Sequence, residues 1–430
     1  MVGSKNYWMR SIGISAIVGL ALSATACAGA NGGGAAGDEI EIGAHPALLT
    51  AFNAYAEAYN ATDPEVPVSI VELGGDDYTQ QLLTMQLSGD APDIIINFAN
   101  AQLQSDGLIK DLQPWLAEGK GGLSEDQFIP AWLSPYVSDP SSGAVGGLPV
   151  SADTMLLYYN KTLFERAGVT ELPSDTWTWD DMYRVGEQIS AAGAGQYWGY
   201  QPQNWHAVYN PVLHASGTEV FDDEAGEFVF ADAAGIEGWK TILQPWQEGW
   251  GTPYQAEGAQ TDYFGAGQAA MMLNTRPAIV GYRDSLAEYD WDVALVPKLN
   301  GENAIGGGSY GLSIMADSPN AEAAWDYLSW FFSTDGGMQV ASEFGVIPVT
   351  ENGVTDGAWR DDPNPVPASL TPVTEVAVSD AYLGGPPVPV DVSADLDPAL
   401  VAAQQRVLIE HATVADSYRQ AQEELNAAVK

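Results

Sequence analysis

The chain has 430 residues, of which 57 are Asp or Glu and only 15 are Lys or Arg, for a formal net charge of -42. Such an acid excess repels nucleic acid and anionic lipid, which argues against both as partners, and no basic pocket for a polyanion is visible. A composition of 46% hydrophobic and 17% charged residues is that of a globular protein, and about 400 residues beyond an apolar N-terminal run suffice for two domains.

Lys5 and Arg10 lead into residues 11–26, which are apolar or small throughout. A charged start, a short apolar stretch and small residues at the cut predict a secretory signal over 1–26. The stretch is shorter than the about 20 apolar residues that a bilayer-spanning helix needs. Ala24, Thr25 and Ala26 satisfy a small-x-small cleavage rule, and the only cysteine, Cys27, follows at once. This order resembles the lipobox of bacterial lipoproteins, although Ala24 stands where leucine is commonest. The resemblance implies lipidation of Cys27; the alternative is plain cleavage that leaves a free thiol. Secreted chains usually pair or discard their cysteines, which favours lipidation. Two or three acyl chains would anchor stably where one does not. The glycine-rich run 29–37 reads as a flexible tether, so residues 27–38 form a lipidated leash.

Downstream, residues 39–44 (EIEIGA) alternate with period two, and Leu48, Leu49, Phe52, Tyr55 and Tyr59 recur at helical spacing. Residues 66–73 are strand-like, GGDD makes a loop, and Tyr78, Leu82 and Met85 mark a helix face. The segment SGDAPDIIINFAN ends that helix and opens a buried strand at Asp93. Alternating strands and helices predict a parallel sheet with covering helices. Residues 177–189 read as a helix whose start is set by Thr178 and Asp181, with Trp177 and Trp179 structural. Residues 196–254 are rich in aromatics, 291–299 return to strand, and 321–332 to helix. A proline-rich stretch, 363–389, leads into one final helix from about Pro398 to Val429.

Three stretches in this order carry a resemblance. They are LSGDAPDIIINFANAQLQSDGLIKDLQPW, then GGLPVSADTMLLYYNKTLFERAGV with WTWDDM, then FGAGQAAMMLNTRPAIVGY with the glycine loop and FGVIPV beyond it. Together they resemble the family 1 extracellular solute-binding proteins, the carbohydrate-binding lipoproteins of ABC importers. The resemblance implies an α/β, two-lobed periplasmic-binding-protein-like fold, with parallel-rich sheets flanked by helices, a hinge and an interlobe cleft. It places an N-lobe at 39–149 plus 291–332 and a C-lobe at 150–290 plus 333–430. It implies a monomer that captures a sugar or small oligosaccharide and delivers it to ABC permease subunits. No cofactor and no catalysis are implied, and membrane contact is through the lipid anchor alone.

Ligands of open α/β sheets sit outside the carboxyl ends of strands, and sugars need aromatic faces and polar partners for their hydroxyls. The family pattern puts ligand contacts at Asp76, Asp77, Asn97, Asn100 and Asp153, at Trp205 and His206, and at Ser309 and Tyr310. Where the family often has Gly-x-Trp after its AM motif, this chain has Thr275-Arg276-Pro277. Arg276 is therefore expected to make forked hydrogen bonds to hydroxyls or to a carboxylate, which leaves uronic acids open.

Each assignment has a plainer alternative: helix caps at Asp76 and Asp77, a strand-end turn at Asn97, and core packing for the tryptophans, for Trp239 and Trp246 more than for Trp205. The four histidines lack metal spacing, so no metal is expected. Residues 307–311 match G-x-S-x-G, but 312–316 read as a strand where a hydrolase needs a helix. A polyamine would suit the acidic charge, and a secreted glycosidase would need two carboxylates across a cleft. The aromatic-rich middle third favours carbohydrate.

Overall fold

The structure is a computed structural model describing residues 37–74, 78–97, 101–139, 143–255, 261–361, 364–381 and 388–429. The expected signal, Cys27, Asp76, Asp77 and Asn100 lie outside these residues. Among the described residues no helix is long and apolar enough to cross a membrane.

Strand β1 (Ile40–Ala44) pairs in parallel with β2 (Val68–Glu72) on one side and β3 (Ile94–Asn97) on the other. Ile94, Ile95 and Ile96 are all fully buried, as a strand covered on both faces requires. Ile94 and Ile96 join the main core of this lobe, and Ile95 joins Leu73, Leu82 and Leu103 on the opposite face. The sheet is completed by β4 (Leu148–Pro149) and β9 (Gly311–Ile314), the latter antiparallel to both β3 and β4. Helix α1 (Leu49–Asn60) buries the predicted stripe. Its Tyr55 and Tyr59 meet Phe331 and Tyr327 edge-on at 5.2 and 5.1 Å.

The Asp of the PDI motif is a structural clasp. Asp93 accepts the Glu41 amide (3.0 Å), the Ser318 hydroxyl (2.6 Å) and the Asn320 amide group (3.1 Å). One buried carboxylate thus joins β1 to the start of the helix at 321.

The second core is built around β5 (Asp153–Asn160), with β6 (Met271–Thr275) and β7 (Trp291–Ala294) both antiparallel to it. Among the described residues, parallel pairing here is confined to single bridges from Thr178, Trp198, Tyr200 and Gln201. The parallel-rich expectation therefore describes the first sheet, while the second is antiparallel around its central strand. Helix α2 (Trp179–Gly193) starts as predicted: the Thr178 hydroxyl accepts the Asp181 amide and the Asp181 carboxylate accepts the Thr178 amide. Helices α3 (His206–Ser216) and α4 (Ala233–Gln247) follow.

Two expected boundaries move. The segment at Trp291 does not return to the first lobe, because Trp291–Ala294 is zipped along β5. The chain leaves the second sheet only at β8 (Gly307–Gly308), which pairs with Thr154 and Asp153, and enters the first sheet at β9. Conversely Met338, Ala341, Val346, Ile347, Val349 and Trp359, expected in the C-lobe, pack into the first core. The chain regains the second core with α5 (Leu370–Asp380), which lies on β5 and β7.

The expected final helix is two, α6 (Val390–Leu408) and α7 (Val414–Ala428). His411 takes a left-handed φ of 60°, and Thr413 caps the new helix by accepting the Asp416 amide. The returning α7 brings Tyr418 against Trp239 in a stacked pair, 4.2 Å between ring centres, so Trp239 is core.

Candidate functional site

Two chain crossings run side by side between the lobes. One links β4 to β5 and the other β8 to β9; the Val150 amide donates to the Tyr310 carbonyl at 2.8 Å, and Gly308 lies opposite Asp153. The Ala152 amide bonds the Ile347 carbonyl at 2.8 Å, adding a third strand of backbone. This ribbon is where a rotation between the lobes would be absorbed.

Several expected ligand residues are part of this ribbon or the sheet beside it. Tyr310 is 7% exposed and turns its ring into the first core, 6.1 Å from Phe52. The Ser309 hydroxyl donates to the Tyr310 carbonyl (2.9 Å), and the Ser309 carbonyl accepts the Tyr136 hydroxyl (2.9 Å). Asn97 is 3% exposed and its amide group donates to the Ser313 hydroxyl at 3.0 Å. The Tyr310 ring and the Asn97 side chain are thus engaged in packing within the first lobe.

Arg276 is also corrected. It is 1% exposed, its Nη1 donates to the Gly345 carbonyl, and its guanidinium lies 5.5 Å from the Trp359 ring centre. It belongs to the end of the second sheet, whereas Trp359 belongs to the first core, so Arg276 joins the lobes. The 3-10 turn at Arg276–Ala278 directs the side chain inward, where a carbonyl and an aromatic face replace water around the cation.

Asp153, at the start of β5, is half-buried and accepts the Ser151 hydroxyl. Burial pushes its carboxyl up to about 6, against the pull of the Ser151 hydroxyl and of Arg276. A raised acid pKa means that the native state holds the proton more tightly than the unfolded chain. The contribution of Asp153 to stability therefore falls as pH climbs from about 4 to 6 and stays low above that. Asp153→Asn should flatten this part of the pH–stability curve and gain about 1–3 kcal/mol relative to wild type at pH 7. Denaturant midpoints at pH 4.5 and 7 check it; parallel curves for the two proteins would refute it.

A cavity of about 470 Å³ opens on the second lobe, within the size range of small-ligand pockets. Trp205, the residue just before α3, is half-buried in its wall, and Trp246 enters from the last turn of α4. The Trp246 and Tyr254 rings meet edge-on at 5.6 Å, and Tyr263 is held by Trp198 at 5.2 Å and by the Gln255 amide at 3.2 Å. Amides alternate with these rings. Asn204 donates to Gln404 at 2.8 Å, Asn274 donates to the Tyr282 hydroxyl at 2.9 Å, and Gln201 accepts the Phe264 backbone amide at 2.8 Å. Among the described residues, no side chain lining the cavity carries a charge at neutral pH. The described residues contain no group of three or more His, Cys, Asp or Glu that could hold a metal ion.

Of the expected contacts among the described residues, only Trp205 lines this cavity. The exposed His206 ring packs edge-on against Trp205 at 4.9 Å, and its Nε2 approaches Gly308, opposite Asp153. A continuous surface therefore runs from the cavity through Trp205 and His206 to the hinge carboxylate. Trp246, read as core, and the surrounding amides were not anticipated. The visible signal was the amide cluster Gln201-Pro202-Gln203-Asn204 ahead of Trp205.

Two α/β lobes, a ribbon hinge and a polar, aromatic-lined cavity define a solute receptor of the periplasmic-binding kind. The chain belongs to the bacterial extracellular solute-binding protein family, whose pattern matches residues 44–338. A chain named as a binding protein in Brucella abortus (strain 2308) is 25% identical over 311 residues, 70% of this chain and 72% of its own. The sn-glycerol-3-phosphate-binding periplasmic protein UgpB of Escherichia coli (strain K12) is 23% identical over 313 residues, covering 69% and 70%. In fold the chain is similar to an ABC substrate-binding protein of Listeria monocytogenes in complex with cycloalternan. That likeness has a TM-score of 0.79 at 21% identity and covers 90% of this chain and 98% of the other.

Proposed function

We propose that the protein captures an uncharged sugar or small oligosaccharide between its lobes and passes it to an ABC permease without altering it. The observation that carries this is the cavity wall, where Trp205, Trp246, Tyr254 and Tyr263 alternate with Gln201, Asn204 and Gln404. Aromatic faces suit the apolar side of a pyranose and amides suit its hydroxyls. The uncharged lining weighs against glycerol phosphate, which UgpB is named for, and equally against a uronic acid or a polyamine. It also offers no pair of carboxylates for glycoside hydrolysis among its described residues. In this reading Asp76, Asp77 and Asn100 are also ligand contacts, and Asp153 is one at the hinge. In the same reading the chain works as a monomer, held outside the cytoplasmic membrane by a lipidated Cys27.

A melting screen with neutral sugars, uronic acids, glycerol 3-phosphate and polyamines tests the ligand class, because a ligand that binds only the native state raises Tm by mass action. A rise with neutral sugars, recovered unchanged, is expected. A rise with only the charged compounds would overturn the sugar assignment, and sugar turnover would overturn the receptor. The anchor is tested separately: Cys27→Ala should move the protein from the membrane fraction to the soluble one, and its retention would refute lipidation.

A further inference from the structure

The family match ends at residue 338, yet part of the cavity wall is built beyond it. Helix α6 contributes Val401 and Gln404 to that wall. Asp397 lies four residues before Val401, and positions 397, 401 and 404 recur at i, i+4 and i+7, so they share one helix face. Gln404 is 6% exposed and accepts the Asn204 amide at 2.8 Å, which fixes the residue next to Trp205. Asp397 accepts the Tyr209 hydroxyl at 3.0 Å and lies within electrostatic reach of His206, on the surface that leads from the cavity to the hinge. The adjacent face of the helix anchors it, with Leu400, Ala403 and Val407 buried in the second core. The same helix packs on the short helix Ala101–Ser105 of the first lobe, so it touches both lobes.

We propose that α6 is the element that selects the ligand, with Val401 and Gln404 limiting the depth of the cavity and Asp397 placing a carboxylate at its rim. This rests on the sugar reading above. A carboxylate accepts hydroxyl hydrogens and repels an incoming anion, so the rim favours uncharged polyols over phosphates and uronates. The amide of Gln404 and the bulk of Val401 set how much of a sugar fits inside. Neither role requires the loops of the first lobe.

The test is calorimetric titration of the purified full chain and three variants with neutral gluco-oligosaccharides of increasing length, glucuronic acid and glycerol 3-phosphate. Val401→Trp should fill the inner end, weakening the longest bound oligosaccharide about 10-fold or more while the shortest is least affected. Gln404→Ala, which removes bulk and so avoids overpacking, should weaken neutral sugars about 3- to 10-fold, the loss of one hydrogen-bonding group. Asp397→Asn should shift the preference toward anions, raising the affinity for glucuronic acid or glycerol 3-phosphate relative to neutral sugars about 5-fold or more. Melting curves for each variant separate lost binding from lost folding. If wild type binds a neutral sugar and folded Val401→Trp and Gln404→Ala bind it equally well, the role of α6 is overturned and the sugar reading stands. If wild type prefers glycerol 3-phosphate, the sugar reading fails and the anion-excluding role of Asp397 fails with it.

Discussion

Arg276→Ala is expected to cost about 3–5 kcal/mol of unfolding free energy, the largest loss of any single change near the hinge. Three effects add in the same direction. The Gly345 carbonyl loses a charged donor inside the protein, which costs about 1–3 kcal/mol where water cannot replace it. The volume of a side chain that is 1% exposed and packed on Trp359 becomes a void between the lobes. Asp153 loses a positive charge that holds its pKa down, so its carboxyl should rise above the present value of about 6. Arg276→Lys should recover little, because an ammonium cannot both fork toward a carbonyl and lie flat on an indole. Denaturant unfolding of the two variants measures this. A midpoint unchanged in Arg276→Ala would show that the contact with Gly345 and Trp359 carries no stability, and would return the residue to a ligand role.

Trp205→Ala is expected to do the opposite: leave stability nearly unchanged and remove about 1–3 kcal/mol of ligand affinity, roughly 5- to 150-fold. The side chain is half-buried against the cavity and the edge of His206. The start of α3 depends on the Trp205 backbone, whose carbonyl accepts the Val208 and Tyr209 amides, and that survives the substitution. Truncation therefore removes a face for a sugar to stack on and little of the core. Isothermal titration with whichever sugar raises the melting temperature measures the loss. Equal affinity in the variant would sink the stacking role and shift attention to Trp246 across the same cavity.

The two residues differ in how much of their setting is local in the chain. Trp205 follows an amide cluster in an aromatic-rich segment, and the structure puts it in the cavity wall beside those neighbours in the chain. Arg276 was misread because its partners, Gly345 and Trp359, lie 69 and 83 positions away. A cation in a motif slot looks like a ligand contact until the fold reveals the carbonyl and ring that already occupy it. Trp246 answers to two descriptions, packed against the second core and bordering the cavity. A tryptophan at helical spacing reads as core, and only the placement of Tyr254 and the cavity beside it shows that it is a wall as well.

Local physics determined a good deal of this protein from sequence alone. The alternation of 39–44, the buried isoleucine run of β3 and the capping pair at Thr178 and Asp181 follow from periodicity and short-range hydrogen bonding. The chain motifs were enough to indicate two lobes and a solute-binding family. Tertiary structure alone decided the rest. It zipped Trp291–Ala294 onto β5, carried residues 338–359 back to the first core, and folded the C-terminal segment into two helices so that Gln404 reaches Asn204. Each of these turns on pairing or packing between segments tens to hundreds of residues apart. The hydrogen-bonding and burial free energy of such contacts is shared between partners, and neither partner's sequence carries it by itself.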